Sequence, residues 1–360
     1  MSLLEATVAS IAPLDASAQS AALARQGQLT KPPGALGRLE ALSVQIAGIT
    51  GVLCPPLAQR SVVVMAGDHG VALQGVSAYP RDVTAQMVLN FLAGGAAVNV
   101  LARQMGTRVR VVDIGVASPL APHAGLLSRR LANGTADITL GPAMSRDQAR
   151  QAVEIGIEVV TAEHAKGLHL VATGEMGIGN TTPSAALVCA FTGADPAVAT
   201  GRGTGIDDDA WQRKVAVVRR ALALHRPDAK DGLGTLAALG GYEIAGLVGV
   251  ILGAAALRVP IVIDGFISTA AALAAVAIAP AARPYLIASH RSAEQGHILA
   301  LNHLGLYALL DMNMRLGEGT GALLAFPLVE AAVRTLNEMA TFAEAGVAGP
   351  ADPNEPGPAR

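Results

Sequence analysis

Five short apolar runs, each closing on small or polar residues, constrain this chain more than any other feature: "SVVVMAGDHG" (61–70), "VRVVDIGV" (109–116), "GLHLVATGEMG" (167–177), "VPIVIDG" (259–265) and "PYLIASH" (284–290). Their hydrophobicity is continuous rather than alternating, which marks strands buried on both faces. Segments of helical length separate them, so right-handed crossovers give an α/β fold, a mostly parallel, Rossmann-like sheet with helices on both faces. Ligands of such sheets bind beyond the carboxyl ends of the strands. Asp68, His69, Asp113, Glu175, Asp264 and His290 all fall at that edge, which is where a site is expected.

Outside these runs the chain reads as helical. Residues 59–305 form the expected α/β nucleotide-binding domain, and 1–58 with 306–345 form a smaller helical domain assembled from both termini. The final stretch, 346–360, is polar and rich in Pro and Gly and reads as a disordered tail. Aromatics make up only 3% of residues, so the core must be built from closely packed Ala, Val, Leu and Ile.

A net charge of -2 offers no electrostatic footprint for nucleic acid or an anionic membrane. Two apolar runs raise the question of membrane insertion. "IAGLVGVILGAAAL" (244–257) is too short to span a bilayer, and "GFISTAAALAAVAIAPAA" (265–282) is Ala-dominated and carries Ser268 and Thr269. Both read as buried helices. Two cysteines, Cys54 and Cys189, make no disulfide framework, and the N-terminus lacks a signal-peptide pattern, so a cytoplasmic protein without a membrane partner is expected.

The strongest local motif is "GEMGIGNTTP" (174–183), a glycine loop between a strand and a helix. Converging backbone amides at a positive helix end suit one phosphate. Asn180 stands where a Walker A loop needs Lys, and the dinucleotide spacing G-x-G-x-x-G is missing; a plain tight turn is the alternative. In "GRGTGIDDDAWQRK" (201–214), Asp207 caps a helix and Asp208 and Asp209 complement its dipole, which accounts for the acidic triplet without a metal. Lys214 either lies on a solvated face or reaches back to a phosphate. Glu294 and His297 share a helix face, but a single such pair is a poor metal set, and hydrogen bonding is the better reading. Tyr79, Gln86 and Met87 lie where an aromatic and an amide would line a pocket for a flat heterocycle. Glu318, between two glycines in "MRLGEGTGA" (314–322), sits where a helix would be costly.

Together "KPPGALGRLE", "AGDHGV", "GEMGIGNTTP", "GRGTGID", "DGFIS", "SHRSAEQGH" and "RLGEGTGA" resemble, in order and spacing, the nicotinate-nucleotide:dimethylbenzimidazole phosphoribosyltransferase family. The resemblance implies small-molecule substrates, nicotinate mononucleotide and dimethylbenzimidazole, no cofactor, no metal and a homodimer. It implies that Gly177, Ile178, Gly179 and Asn180 hold the phosphate with help from Lys214. Glu318 becomes the proton acceptor. Glu175 is expected to offset ribose charge or hold the ribose, and Tyr79, Gln86, Met314 and Leu316 to wall the benzimidazole pocket. The flanking glycines are expected to let the heterocycle approach the backbone, with partial burial raising the Glu318 pKa. Two other readings compete: an NAD-dependent oxidoreductase, which lacks its fingerprint, and a mononucleotide sensor, which leaves Glu318 without a role.

Overall fold

The computed structural model describes residues 1–349; most of the expected tail, from 350 onward, lies outside them. Six strands form one parallel sheet: β1 Arg60–Gly67, β2 Arg108–Gly115, β3 Leu126–Ser128, β4 Leu170–Met176, β5 Ile261–Ile263 and β6 Leu286–Ala288, in the order β3-β2-β1-β4-β5-β6. All eight residues of β1 are buried, as a central strand covered on both faces requires. The α/β class expected from the apolar runs is what the chain forms.

The Ala/Gly-rich runs are the packing partners of that sheet. Helix Tyr242–Ala256 is buried along nearly its whole length and lies along helix Arg146–His164. At their crossing a methyl on Gly156 would lie 2.8 Å from Val250 N, so only glycine admits the approach. Helix Phe266–Ile278, also buried, packs on β4 and β5. Both helices are short of a bilayer's thickness. Among the described residues, Val83–Gln104 is long and apolar enough to cross a membrane. Gly94, left-handed at φ 79, divides it into Val83–Ala93 and Ala97–Gln104.

The chain forms two compact units. The sheet unit comprises Met1–Pro13 and Leu57–Phe326. Residues 306–326, expected with the smaller domain, therefore lie with the sheet, as does the first helix, Leu3–Ser10. That helix is tied down by Leu4 N donating to Glu154 Oε1 at 3.2 Å, and the following turn by Tyr285 Oη donating to Ala12 O at 2.8 Å. The second unit comprises Leu14–Pro56 and the described residues from Pro327 to 349. Ala18, Ala22, Ala47 and Leu336 form its core. Arg25 Nε donates to Leu336 O at 2.6 Å, and Lys31 pairs with Glu40 at 2.8 Å, which gives the "KPPGALGRLE" block a structural use within that unit.

Candidate active site

The strand order turns at β1 and β4, whose neighbours lead away in opposite directions. A crevice therefore opens beyond their carboxyl ends. There the sheet unit carries a cleft of about 680 Å³, lined by groups from the ends of β4 and β5, from the loop at Val76–Tyr79, and from 315–318.

One end of the cleft gathers backbone donors at a helix N-terminus. β4 closes on Glu175 and Met176, and the chain turns through Gly177–Asn180 into helix Thr181–Thr192, whose N-terminus has no side-chain cap. The Asn180 side chain donates to Glu175 Oε2 instead. Ile178 N donates to Thr84 Oγ1 at 3.0 Å, and Asn180 N and Thr182 N close turns onto Gly177 O and Gly179 O. The amides between them, of Gly179 and Thr181, have no hydrogen-bond partner among the described residues and lie at the positive helix end, where an anion is favoured. Lys214 is fully buried and reaches back to donate to Thr181 Oγ1 at 2.7 Å. Burial pulls the pKa of its ammonium down to about 8, against the raising influence of Glu294.

The other end presents a carboxylate. Gly317, Glu318 and Gly319 all have positive φ, at 86, 64 and 93, a left-handed stretch that glutamate rarely joins. The glycines serve the protein's own packing: a methyl on Gly319 would lie 2.6 Å from Val62 Cγ2, and one on Gly317 would overlap Glu175 Oε1. The glycines thus have a packing use of their own, and Gly317 also lines the cleft. Asp264, at the end of β5, fixes the stretch by accepting Gly319 N at 3.2 Å and Ala322 N at 3.0 Å. Glu318 is 5% exposed, and its Oε2 accepts Val98 N at 3.1 Å in the first turn of helix Ala97–Gln104. Burial raises its pKa, the Val98 amide lowers it, and Asp264 raises it further; the net direction is up.

Glu175 lies between the two ends. Burial pushes its carboxyl to about 8, opposed by the Asn180 hydrogen bond and reinforced by Asp264 and Glu243. Beneath the anion loop, His69 Nε2 and Glu243 Oε1 meet at 2.7 Å, both buried. Burial alone would lower the imidazole, but Glu243 prevails and raises it.

Of the residues singled out from sequence, Glu318, Glu175, Gly177, Ile178, Gly179, Asn180, Tyr79 and Leu316 line the cleft, as do Met87, Asp264, His290 and Glu294. Lys214 stands behind Thr181, one side chain removed from it. Gln86 and Met314 are not among the lining residues. Gln86 is exposed, because the helix presents Val83 and Met87, one turn apart, to the cleft and turns Gln86 about 100° away. Met314 contributes its backbone carbonyl, which accepts Ala293 N at 2.9 Å.

His297 is occupied by the protein itself. Ser292 N donates to its Nδ1 at 2.8 Å, which leaves the proton on Nε2 for Thr269 Oγ1 at 2.9 Å. Burial depresses its pKa to about 3, so it stays neutral. Among the described residues, no three His, Cys, Asp or Glu side chains converge as a metal set. Sequence reasoning did not pick out Met176, Phe266, Ile267 and Arg315 as lining groups, nor Val98 as the partner of Glu318. "GEMGIGNTTP", "DGFIS" and "RLGEGTGA" held the signal for the lining groups. Nothing local marks Val98.

A phosphoribosyltransferase family model matches residues 11–347. The chain is 62% identical to a nicotinate-nucleotide–dimethylbenzimidazole phosphoribosyltransferase of Roseiflexus sp. (strain RS-1), covering 97% of this chain and 99% of the relative. It is 61% identical to one of Chloroflexus aggregans, covering 96% and 98%. The crystal structure of the enzyme of that name from Thermus thermophilus superposes with a TM-score of 0.89 at 46% identity, covering 93% of this chain and 100% of that one. Matched over nearly its whole length in sequence and in fold, the chain belongs to the nicotinate-nucleotide–dimethylbenzimidazole phosphoribosyltransferase family of enzymes.

Proposed function

We propose that this enzyme transfers the phosphoribosyl group of nicotinate mononucleotide to 5,6-dimethylbenzimidazole, giving α-ribazole 5′-phosphate and nicotinate with inversion at C1′. The observation that carries this reading is the pairing, in one cleft, of an uncapped helix end backed by Lys214 with a buried carboxylate on a left-handed turn. The phosphate takes the Gly179 and Thr181 amides, and Lys214 adds charge through the Thr181 hydroxyl. The flat base enters among Val83, Met87, Met176 and Leu316.

Benzimidazole is a poor nucleophile while it keeps its N–H. Glu318, with its pKa raised by burial, takes that proton as the other ring nitrogen attacks C1′. Nicotinate leaves from the opposite face, its ring nitrogen regaining the electron pair of the broken glycosidic bond. Back-side displacement turns a β-nucleotide into an α-nucleotide. Glu175 holds the ribose, and its acidic proton becomes easier to lose as positive charge develops on the sugar.

Cytoplasmic placement and a homodimer belong to the same proposal. Incubation with nicotinate mononucleotide and a panel of candidate bases, scoring nicotinate release and the anomer formed, tests it. Release with dimethylbenzimidazole and an α-product is expected. Failure to release nicotinate with any base overturns the reading.

A further inference from the structure

The "GRGTG" loop, 201–205, passes over the anion end of the cleft, and its Gly203 peptide is gripped from both sides. Glu294 Oε1 accepts Gly203 N at 2.9 Å, and Arg315 Nη1 donates to Gly203 O at 2.6 Å. Next to it, Thr204 Oγ1 accepts Ala78 N at 3.1 Å. The same glycine adjoins the lysine: a methyl on Gly203 would lie 3.1 Å from Lys214 Nζ and 2.9 Å from Thr181 Oγ1.

Glu294 is 6% exposed, and its second oxygen, Oε2, has no hydrogen-bond partner among the described residues. That oxygen faces Gly201, where a methyl would overlap it. A buried carboxylate with an unused oxygen and a buried ammonium are each unfavourable alone, and each compensates the other. The facing helix offers Lys214 only the uncharged Thr181 hydroxyl, so Glu294 is the acid whose charge acts on it.

We propose that Glu294 is a positioning residue of the anion subsite: one carboxylate oxygen fixes the Gly203 strap, and its charge balances the buried Lys214 ammonium. The lysine then meets the substrate phosphate as a cation. This rests on the phosphate reading above and adds to it the residue that sets the state of the lysine.

The test measures the dissociation constant of nicotinate mononucleotide by calorimetry, without acceptor base, from about pH 6.5 to about pH 10. In the wild-type enzyme, binding weakens as pH rises through about 8 and Lys214 loses its proton. Glu294→Gln keeps an acceptor for the Gly203 amide but removes the charge. Its alkaline limb moves down by about one pH unit, read as about tenfold weaker binding above pH 8, converging on wild type at the acid end. Glu294→Asp keeps the charge at shorter reach, so its limb stays in place while binding weakens equally at every pH.

A Glu294→Gln profile that overlays wild type, or that weakens uniformly, overturns the assignment. If that variant does not fold, Glu294→Asn, which also removes the charge, decides: a lowered limb supports the assignment, and an unmoved limb overturns it. A wild-type enzyme that binds the nucleotide but releases no nicotinate sinks the transfer reading and leaves this one standing. Normal turnover with an unmoved Glu294→Gln limb sinks this one alone.

Discussion

The two glycine loops of the cleft use the same residue for opposite ends. In 177–180 glycine leaves backbone free: helix Thr181–Thr192 begins without a side-chain cap, and the Gly179 and Thr181 amides have no partner among the described residues. In 317–319 glycine serves close packing, and the Gly319 amide is already taken by Asp264. The backbone there is left-handed and wedged against Val62 and Glu175. On the proposed function, the first loop receives the substrate phosphate and the second aims Glu318. A glycine count cannot separate these cases, whereas the occupant of each amide does.

The sharpest way to break this contrast is Glu318→Gln. If the second loop exists to aim a base, turnover falls by about 10²–10⁴-fold. The first loop keeps nicotinate mononucleotide bound with a near-normal dissociation constant. Single-turnover rates and equilibrium binding read the two separately, and near-normal turnover would sink the assignment.

Methyl probes sharpen it next. Gly319→Ala puts a side chain at φ 93 and 2.6 Å from Val62 Cγ2. The left-handed backbone and the overlap together cost about 2–4 kcal/mol of folding stability. Gly179→Ala carries a similar φ of 90, but its methyl meets Ala72 Cβ at 3.2 Å, a contact that can give slightly. It is expected to weaken nucleotide binding more than it lowers the denaturation midpoint. Equal stability losses, or binding lost only in Gly319→Ala, would erase the distinction between the loops.

The buried acids between the loops give a pH signature. Glu175 has its folded pKa raised from 4.5 to about 8, so the native state holds a proton that the unfolded state releases. Stability is therefore lost as pH rises from about 4.5 to about 8, and Asp264 and Glu318, also raised by burial, act in the same direction. Glu175→Gln is expected to flatten that decline by at most a few kcal/mol. His297, held neutral with its pKa lowered to about 3, acts the other way below about 6.5, so the test is the difference between wild type and Glu175→Gln. Urea midpoints across the range measure it, and a variant that declines as steeply as wild type contradicts the sign.

What could be read from the sequence follows from the range of each interaction. Continuous apolar runs announced five of the six sheet strands, because burial on both faces is written locally; β3, only three residues at the sheet edge, carries too little pattern. The carboxyl-edge acids Glu175 and Asp264 were visible for the same reason. The left-handed state of Glu318 was not, since it depends on Asp264 and on a space beside Val62 too small for a methyl, and its Val98 partner lies 220 positions away. The placement of helix Leu3–Ser10 with the sheet rests on contacts as distant as Glu154 and Tyr285 and was likewise invisible.

The smallest effect concerns the base pocket and separates two adjacent residues that the sequence could not. On helix Val83–Ala93, Met87 lines the cleft one turn from Val83, whereas Gln86 points to solvent. Truncating Met87 to Ala removes most of an apolar wall. At roughly 25 cal/mol per Å² for the area a planar base would cover, its KM for dimethylbenzimidazole should rise about tenfold, with kcat changed less. Gln86→Ala should leave both constants within about twofold, as surface substitutions usually do. Steady-state kinetics at saturating mononucleotide distinguish the two. A Gln86 variant as impaired as the Met87 variant would mean that the helix turns its amide inward once the base is bound, and the pocket wall would then need to be redrawn around that face.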